Sequence, residues 1–471
     1  MNVPVDNMTD ALRLVIVGGS DAGISAGLRA RELDRAVRPT LVVADAYPNF
    51  SICGIPYWLS GEVTQRRNLA HRTREDLERA GLNLRLETVA ERIDVDQLAL
   101  IVRTPDGRQE AIAYDRLVIG TGAVPARPPI PGIEVPGVHL LHSMGDASAV
   151  QDALNAGARS AVIIGGGYIG VEMADALTRR GLDVSLVEQA PSALTTVDLE
   201  LGARVVEELS AHGVRCLIGV RVSGIEVSGD RLVVTGEGGV RVEGDIVLVL
   251  AGVQPNVRLA REAGASVGVR GALAVDRQMR TGLPGIWAAG DCVETHQQLF
   301  DRPAYMPLGS TAHKQGRIAG ENAIGGSAEF AGSLGTQVVK VFDLAIAATG
   351  LRGTVAQTEG FDALTVETTT DDHKAYYPGA YPLRLRIVGD RDSGQLLGGQ
   401  ILGHVSGQVA KRIDTLATAI YHRMSVAEVS DLDLSYTPPL SSPWDPVQIA
   451  CQAWERARPL SIQPREPVPI A

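Results

Sequence analysis

Of the four cysteines in the chain, Cys53, Cys216, Cys292 and Cys451, only Cys53 has neighbours that point to redox chemistry. It lies in AYPNFSICGIPYWLSG, just after an N-terminal pair of apolar strand patterns, LRLVIV and RPTLVVAD. A helix beginning beside it is expected to lower the thiol pKa and support a reactive thiolate. No two cysteines form a C-x-x-C pair, so neither zinc nor a thioredoxin-type site is expected, and four scattered cysteines are too few for a disulfide scaffold. Reduced thiols fit a cytoplasmic protein. Cys216 in VRCLIGV and Cys292 in AAGDCVE have the pattern of strand and turn filler, and Cys451 that of helix packing.

Two glycine turns supply the second kind of chemistry. In LRLVIVGGSDAGISAGLRARELD an apolar run passes through Gly18, Gly19 and Gly23 into a helical pattern, and RPTLVVAD then resumes a strand ending near Asp45. Bare backbone at Gly18 and Gly23 would let a pyrophosphate sit on the helix N-terminus, and the Asp45 carboxylate would accept from a ribose hydroxyl. The middle position of this first motif is Ser20, so the match is imperfect. RSAVIIGGGYIGVEMADALTRRGLDVSLVE repeats the grammar with a complete Gly165, Gly167, Gly170 set and Glu188 closing the next strand. Glu188 would accept from a free ribose 2'-OH and repel a 2'-phosphate, and Gln189-Ala190 offers no cation, so NADH is favoured, with NADPH as the second option.

These motifs need a large scaffold. The chain has 471 residues with 45% hydrophobic content, enough for two or three domains. Its net formal charge of -11 gives no electrostatic reason to bind nucleic acid or an anionic membrane, and a small-molecule partner is expected. MNVPVDNMTD lacks a basic start followed by an apolar stretch, and the later apolar runs are short. YDRLVIGTGAVPARPPIPG, with Thr121 and Gly122, and GDIVLVLAGVQPN each end a strand in a glycine turn followed by proline, and are expected to carry the chain across a domain junction. From about Leu334 the glycine fingerprint stops. QVVKVFDLAIAATG, PLRLRIVGD and QLLGGQILG predict strands and AKRIDTLATAIYHRM a long amphipathic helix, giving an α+β module. RPLSIQPREPVPIA is expected to be a loose tail.

Taken together, SICGIPY, YDRLVIGTGAVP, VIIGGGYIGVE, TGLPGIWAAGDC, PLGSTAHKQGRIAGENAIGG and DLSYTPPLSSPWDPVQIA resemble the pyridine nucleotide-disulfide oxidoreductase superfamily, in its single-cysteine branch of coenzyme A disulfide reductases, NADH oxidases and NADH peroxidases. The resemblance spans nearly the whole chain. It implies an α/β fold with two Rossmann-like domains, for FAD and NAD, and a C-terminal α+β dimerisation domain. The implied boundaries are 11–148 and 276–333 for FAD, 149–275 for NAD, 334–455 for dimerisation and 456–471 for the tail. By the same resemblance Gly290 and Asp291 belong to the FAD site, Asp291 holding the ribityl or pyrophosphate end, while Tyr168 and Glu172 flank the nicotinamide. In the implied homodimer Tyr436, and one of Tyr376 or Tyr377, would reach the partner's Cys53 and stabilise or protonate sulfur there.

Related two-cysteine reductases use C-x-x-x-x-C, but the second position here is Trp58, so the other redox partner of Cys53 must come from outside. That leaves a mixed disulfide with a small thiol or persulfide, or a sulfenic acid formed with peroxide or oxygen. A third class, a flavin-containing redox sensor or electron-transfer module, is also compatible with the motifs. Three positions depart from the branch. Asp21 stands where oxidases and peroxidases resemble one another in carrying histidine, and its charge would oppose a thiolate. Glu32 stands where an arginine of a coenzyme A site is expected, with Arg29 and Arg31 as the cations to compensate it. His404 stands where glycine is commoner, and is expected to be an interface residue rather than a general acid. The reading that follows is an FAD-dependent enzyme passing electrons from NAD(P)H to Cys53 and on to a small disulfide or related sulfur substrate, ahead of peroxide and oxygen.

Overall fold

A computed structural model describes residues 12–458 of the chain, so the expected tail lies almost entirely outside the described residues. The chain forms two compact units. One holds the residues up to Ala193 together with Leu209–Ser333, the other Leu194–Glu208 together with the residues from Leu334 on.

In the first unit, LVIV at Leu14–Val17 is apolar at every position because both of its faces are covered, as in a parallel sheet. It is the middle strand of five, in the order Ile286–Ala288, Arg116–Ile119, Leu14–Val17, Thr40–Val42, Asn83–Arg85, all parallel. The strand order reverses between Leu14–Val17 and Arg116–Ile119, the crevice where open α/β sheets bind their ligands. A second parallel sheet has the same arrangement around Ser160–Ile164, flanked by Asp183–Glu188 and Arg215–Ile218 on one side and by Ile246–Val249 and Val138–His139 on the other. The two segments expected at a domain junction pair with each other, Ala123–Pro125 running antiparallel to Val253–Pro255. Three small antiparallel sheets that the sequence patterns did not announce, 89–113, 222–244 and the pair Thr295–Gln297 with Arg302–Ala304, complete this unit.

The helix Gly309–Ala323 packs on Asp21–Leu33 at very short range. A Cβ on Gly316 would come within 2.3 Å of the Ala22 carbonyl oxygen, and one on Gly320 within 2.2 Å of that of Ala26. Only bare backbone fits there, and it draws the flanking side chains of the two helices together.

The C-terminal unit is a five-stranded antiparallel sheet in the order Gln337–Val341, Leu344–Gly350, Leu396–His404, Pro382–Asp390, Ala363–Asp371. The amphipathic helix runs Val409–Tyr421, starting one residue before the predicted stretch and ending three residues before its end. Residues 194–208 group here because Arg386 ties them in, with Nη1 at 3.0 Å from Asp198 and 2.9 Å from Glu200. Among the described residues no helix is long and apolar enough to cross a membrane.

Candidate active site

The first glycine turn folds as its residue types dictate. Gly18 adopts φ +117°, and a Cβ there would lie 2.0 Å from the Gly120 carbonyl oxygen; one on Gly23 would lie 2.1 Å from that of Gly18. Ser20, the N-cap of the 13-residue helix, makes no side-chain cap bond, so no side chain caps this helix start. Asp45 follows the strand Thr40–Val42 and accepts from the Tyr47 amide at 3.1 Å. Thr121 and Gly122 close the neighbouring strand, with the Thr121 hydroxyl donating to the Asn256 carbonyl at 2.6 Å. Gly290, at φ +86°, donates its amide to Gln315 Oε1 at 3.0 Å, so the helix Gly309–Ala323 fixes the turn that carries Asp291. Burial first and Asp21 second push the Asp291 carboxyl up to about 6.

Asn49 is a residue the sequence patterns did not single out. It is 1% exposed with both side-chain amide atoms unpartnered, and its backbone N–H donates to the Gly19 carbonyl at 2.7 Å. A buried unsatisfied amide is costly unless a ligand completes it. This bond also lays the Cys53 loop on the glycine turn, and Asn49 holds a left-handed φ of 58° to make it.

Cys53 forms no disulfide and lies in a single turn, Ile52–Gly54, ahead of the short helix Ile55–Leu59. The expected fall in its pKa does not occur. Desolvation, then the carboxylates of Glu172, Asp21 and Asp291, push the thiol up. A five-residue helix is too weak a dipole to offset three acids. Tyr57, one turn on, is raised well above its ordinary value by burial and by Glu172. The other cysteines behave as filler: Cys292 and Cys451 are fully buried, and Cys216 sits in the strand Arg215–Ile218.

Asp21 opens the first helix, and His313 Nε2 of the neighbouring helix lies 3.3 Å from its Oδ1. Further along the same seam Glu32 meets Arg29 at 3.0 Å and Arg317 at 3.1 Å, and Arg29 also meets Glu321 at 2.6 Å. Arg31 does not take part, contrary to expectation; it donates to the Ala80 and Val37 carbonyls instead.

The second turn is tighter still. Gly165 has φ +114°, and a Cβ on Gly170 would lie 1.9 Å from the Gly165 oxygen. Gly167 caps the 12-residue helix Tyr168–Arg179 with no side-chain bond, and there a Cβ would meet nothing within 4 Å. Glu188 ends its strand with Oε2 accepting the Gly166 amide at 2.5 Å and Oε1 the Ala190 amide at 2.6 Å. Both oxygens are thereby aimed along the lip of the turn, and Tyr168 and Glu172 stand on the first turns of its helix.

Residues 12–316 match the family model described as pyridine nucleotide-disulphide oxidoreductase, and residues 336–446 match its dimerisation domain. The chain belongs to this family. It is accordingly an FAD- and NAD(P)H-dependent oxidoreductase that forms a homodimer. It is 33% identical, over 93% of its length and 96% of the relative's, to an NAD(P)H sulfur oxidoreductase (CoA-dependent) of Pyrococcus abyssi. It is 30% identical, over 94% and 98%, to an NADH oxidase of Methanocaldococcus jannaschii. A solved NAD-dependent persulfide reductase from A. fulgidus superposes with a TM-score of 0.91 at 36% identity, over 95% of this chain and 83% of that one.

The residues present suit the family's cofactors. The orphaned Asn49 amide, the uncapped helix starts and the open space at Gly122 and Gly167, where a Cβ would meet nothing within 4 Å, suit two dinucleotides. Within the dimerisation domain Tyr376, Tyr377 and Tyr436 are 74%, 44% and 45% exposed. His404 behaves as a local structural residue: Nδ1 bonds Ser406 Oγ at 2.6 Å and the ring stacks on Tyr381 at 3.9 Å. Among the described residues no cluster of His, Cys, Asp or Glu is placed to hold a metal ion.

Proposed function

We propose that this protein reduces a small disulfide or related sulfur substrate, such as coenzyme A disulfide or a persulfide, through Cys53, with NADH as the preferred donor. The observation that carries the reading is the lone thiol of Cys53, tied through Asn49 to the first glycine turn and neighbouring Glu172 on the second-turn helix, with no cysteine at position 58. The sulfur relatives from P. abyssi and A. fulgidus support the substrate class. Residues 11–148 and 276–333 are assigned to FAD, 149–275 to NAD and 334–455 to the dimer, and the compartment to the cytoplasm.

When bound, FAD supplies the two-electron link between nicotinamide and sulfur. Gly18, Gly19 and Gly23 receive its pyrophosphate, Asp45 its ribose, and Thr121, Gly122, Gly290 and Asp291 its remaining polar length. Gly165, Gly167 and Gly170 receive the nicotinamide dinucleotide, Glu188 its adenosine ribose, and Tyr168 and Glu172 border the nicotinamide. The Cys53 thiolate attacks one sulfur of the substrate disulfide, forming a mixed disulfide and expelling a thiolate that takes up a proton. Two electrons then break the mixed disulfide, releasing the second thiol and restoring the Cys53 thiolate. Tyr436 of the partner subunit, with its Tyr376 or Tyr377, supplies protons to the departing sulfur.

Cys53→Ser tests this directly. NADH should still reduce the flavin anaerobically, while turnover of coenzyme A disulfide and polysulfide falls by at least about a hundredfold. Unchanged sulfur reduction by this variant would defeat the proposal and favour an electron-transfer role. A second reading, NADH oxidation through a Cys53 sulfenic acid, has the M. jannaschii relative in its favour. Rapid peroxide or oxygen turnover after anaerobic reduction, with no sulfur turnover, would establish it instead.

A further inference from the structure

We propose that Arg412 is a positioning residue that sets the spacing of the two loops carrying the proton-donating tyrosines. The inference rests on the role given above to Tyr436 and to Tyr376 or Tyr377. Arg412 lies on the inward face of the helix Val409–Tyr421, with Val409, Ile413, Leu416 and Ile420, and is 6% exposed. An apolar residue of similar volume would suit that face, because a buried ion pair is seldom more stabilising than the apolar packing it displaces. The guanidinium instead reaches past the helix to three connections. Nη1 donates to the Gly407 carbonyl at 2.7 Å and Nε to Asp445 Oδ2 at 3.1 Å. Nη2 donates both to Asp445 Oδ2 at 3.0 Å and to the Asp372 carbonyl at 2.7 Å. One nitrogen thus joins the end of one tyrosine loop to the end of the other.

The first loop runs from Asp372 to Tyr381 and is closed on itself. The Asp372 amide donates to the Tyr381 carbonyl and the Tyr381 amide to Asp372 Oδ1, both at 2.9 Å. His373 Nδ1 lies 2.9 Å from the same Oδ1, its Nε2 is buried without a hydrogen-bond partner, and the Tyr377 ring packs edge-to-face on the imidazole at 5.8 Å. Asp372 therefore carries Tyr377 with it. The second loop runs from Tyr436 to Asp445, where Ser441 Oγ donates to Asp445 Oδ2 at 2.9 Å. The loops also meet through a long bond, 3.3 Å, from the Lys374 amide to the Pro438 carbonyl. That is a weak restraint beside charge-assisted bonds from a buried guanidinium, whose rigid planar fork fixes several acceptors at once.

The test combines loop mobility with kinetics in the FAD-loaded dimer. Arg412→Met/Asp445→Asn removes the guanidinium without leaving a buried charge unpaired, and asparagine still caps the helix Pro446–Ala457. Amide hydrogen exchange in 373–381 and 436–444 is expected to rise at least about tenfold while the helix Val409–Tyr421 stays protected. Turnover of coenzyme A disulfide or polysulfide, whichever the parent reduces, should fall about ten- to a hundredfold. The rate of anaerobic flavin reduction by NADH should not change, a split that general unfolding would not give. Arg412→Lys keeps the charge but loses the planar fork; it should melt with the parent yet remain slow, and it serves if the double variant folds poorly. In a Tyr377→Phe/Tyr436→Phe background the loss of Arg412 should cost little more. Parent-like turnover in the folded Arg412 variants, unchanged exchange in both loops, or a full further loss on top of the two tyrosine substitutions would overturn the proposal. If Tyr377→Phe/Tyr436→Phe kept parent turnover, the tyrosine reading and the kinetic consequence drawn from it would fail, and the exchange data alone would decide whether Arg412 spaces the loops.

Discussion

Three carboxylates, Asp21, Glu172 and Asp291, oppose a thiolate at Cys53, and the effect of burial on the acids themselves can be measured at Asp291. Asp291 has its folded pKa raised from 3.8 to about 6. A carboxyl raised in this way stabilises the fold below its unfolded pKa and loses that contribution as pH rises through the folded value. In flavin-free protein, Asp291→Asn should therefore gain stability over the parent from pH 4 to pH 6, by at most about 3 kcal/mol, and hold that gain at pH 7.5. Urea unfolding at several pH values measures it; an advantage greatest at pH 4 would contradict the assignment. At the other nucleotide turn, Glu188→Ala should raise the NADPH to NADH ratio of kcat/KM by roughly tenfold, since it removes both a ribose acceptor and a charge that repels phosphate. The glycine turns and Glu188 could be read from sequence because their chemistry is local. Asn49 and His313 could not, because an orphaned amide and a cross-helix contact exist only once distant segments meet.

The helix pair Asp21–Leu33 and Gly309–Ala323 is the element that assembles the site. Gln315 holds the Asp291 turn from one face of the second helix while His313 reaches Asp21 from another. Replacing Gly316 or Gly320 by alanine should cost about 1–3 kcal/mol by overpacking, with loss of flavin on gel filtration preceding loss of the C-terminal unit's melting transition. PLGSTAHKQGRIAGENAIGG was informative as a family motif, yet its glycines do not explain themselves in sequence: each is required by a carbonyl of the first helix. Among the strands, runs with continuous apolar character were legible. Ala363–Asp371, whose TVETTTD alternates polar residues at a sheet edge, was not, because threonine and glutamate carry little burial signal.

At the scale of the whole molecule, the proposed active site is shared between subunits, and mixed dimers can show it. Cys53→Ser and Tyr436→Phe homodimers should both be impaired, whereas a dimer with one chain of each has one site with an intact cysteine and an intact tyrosine. It should recover about half of the parent activity per dimer if the tyrosine acts across the interface. Activity no better than the mean of the two homodimers would show that Tyr436 does not act in trans.

The helix seam also orders events during synthesis. The strand Ile286–Ala288 and the helix Gly309–Ala323 are needed to finish a sheet whose other strands have all appeared by Ile119. At elongation rates of about 5–20 residues per second, the half-built sheet waits on the order of ten seconds on the ribosome. The second parallel sheet, contiguous from Val138 to Val249, is complete well before then. The nascent chain therefore passes through a stage in which the sheet around Ser160–Ile164 is formed while the sheet around Leu14–Val17 still lacks its last strand, and Cys53 meets cellular thiols before that sheet is closed.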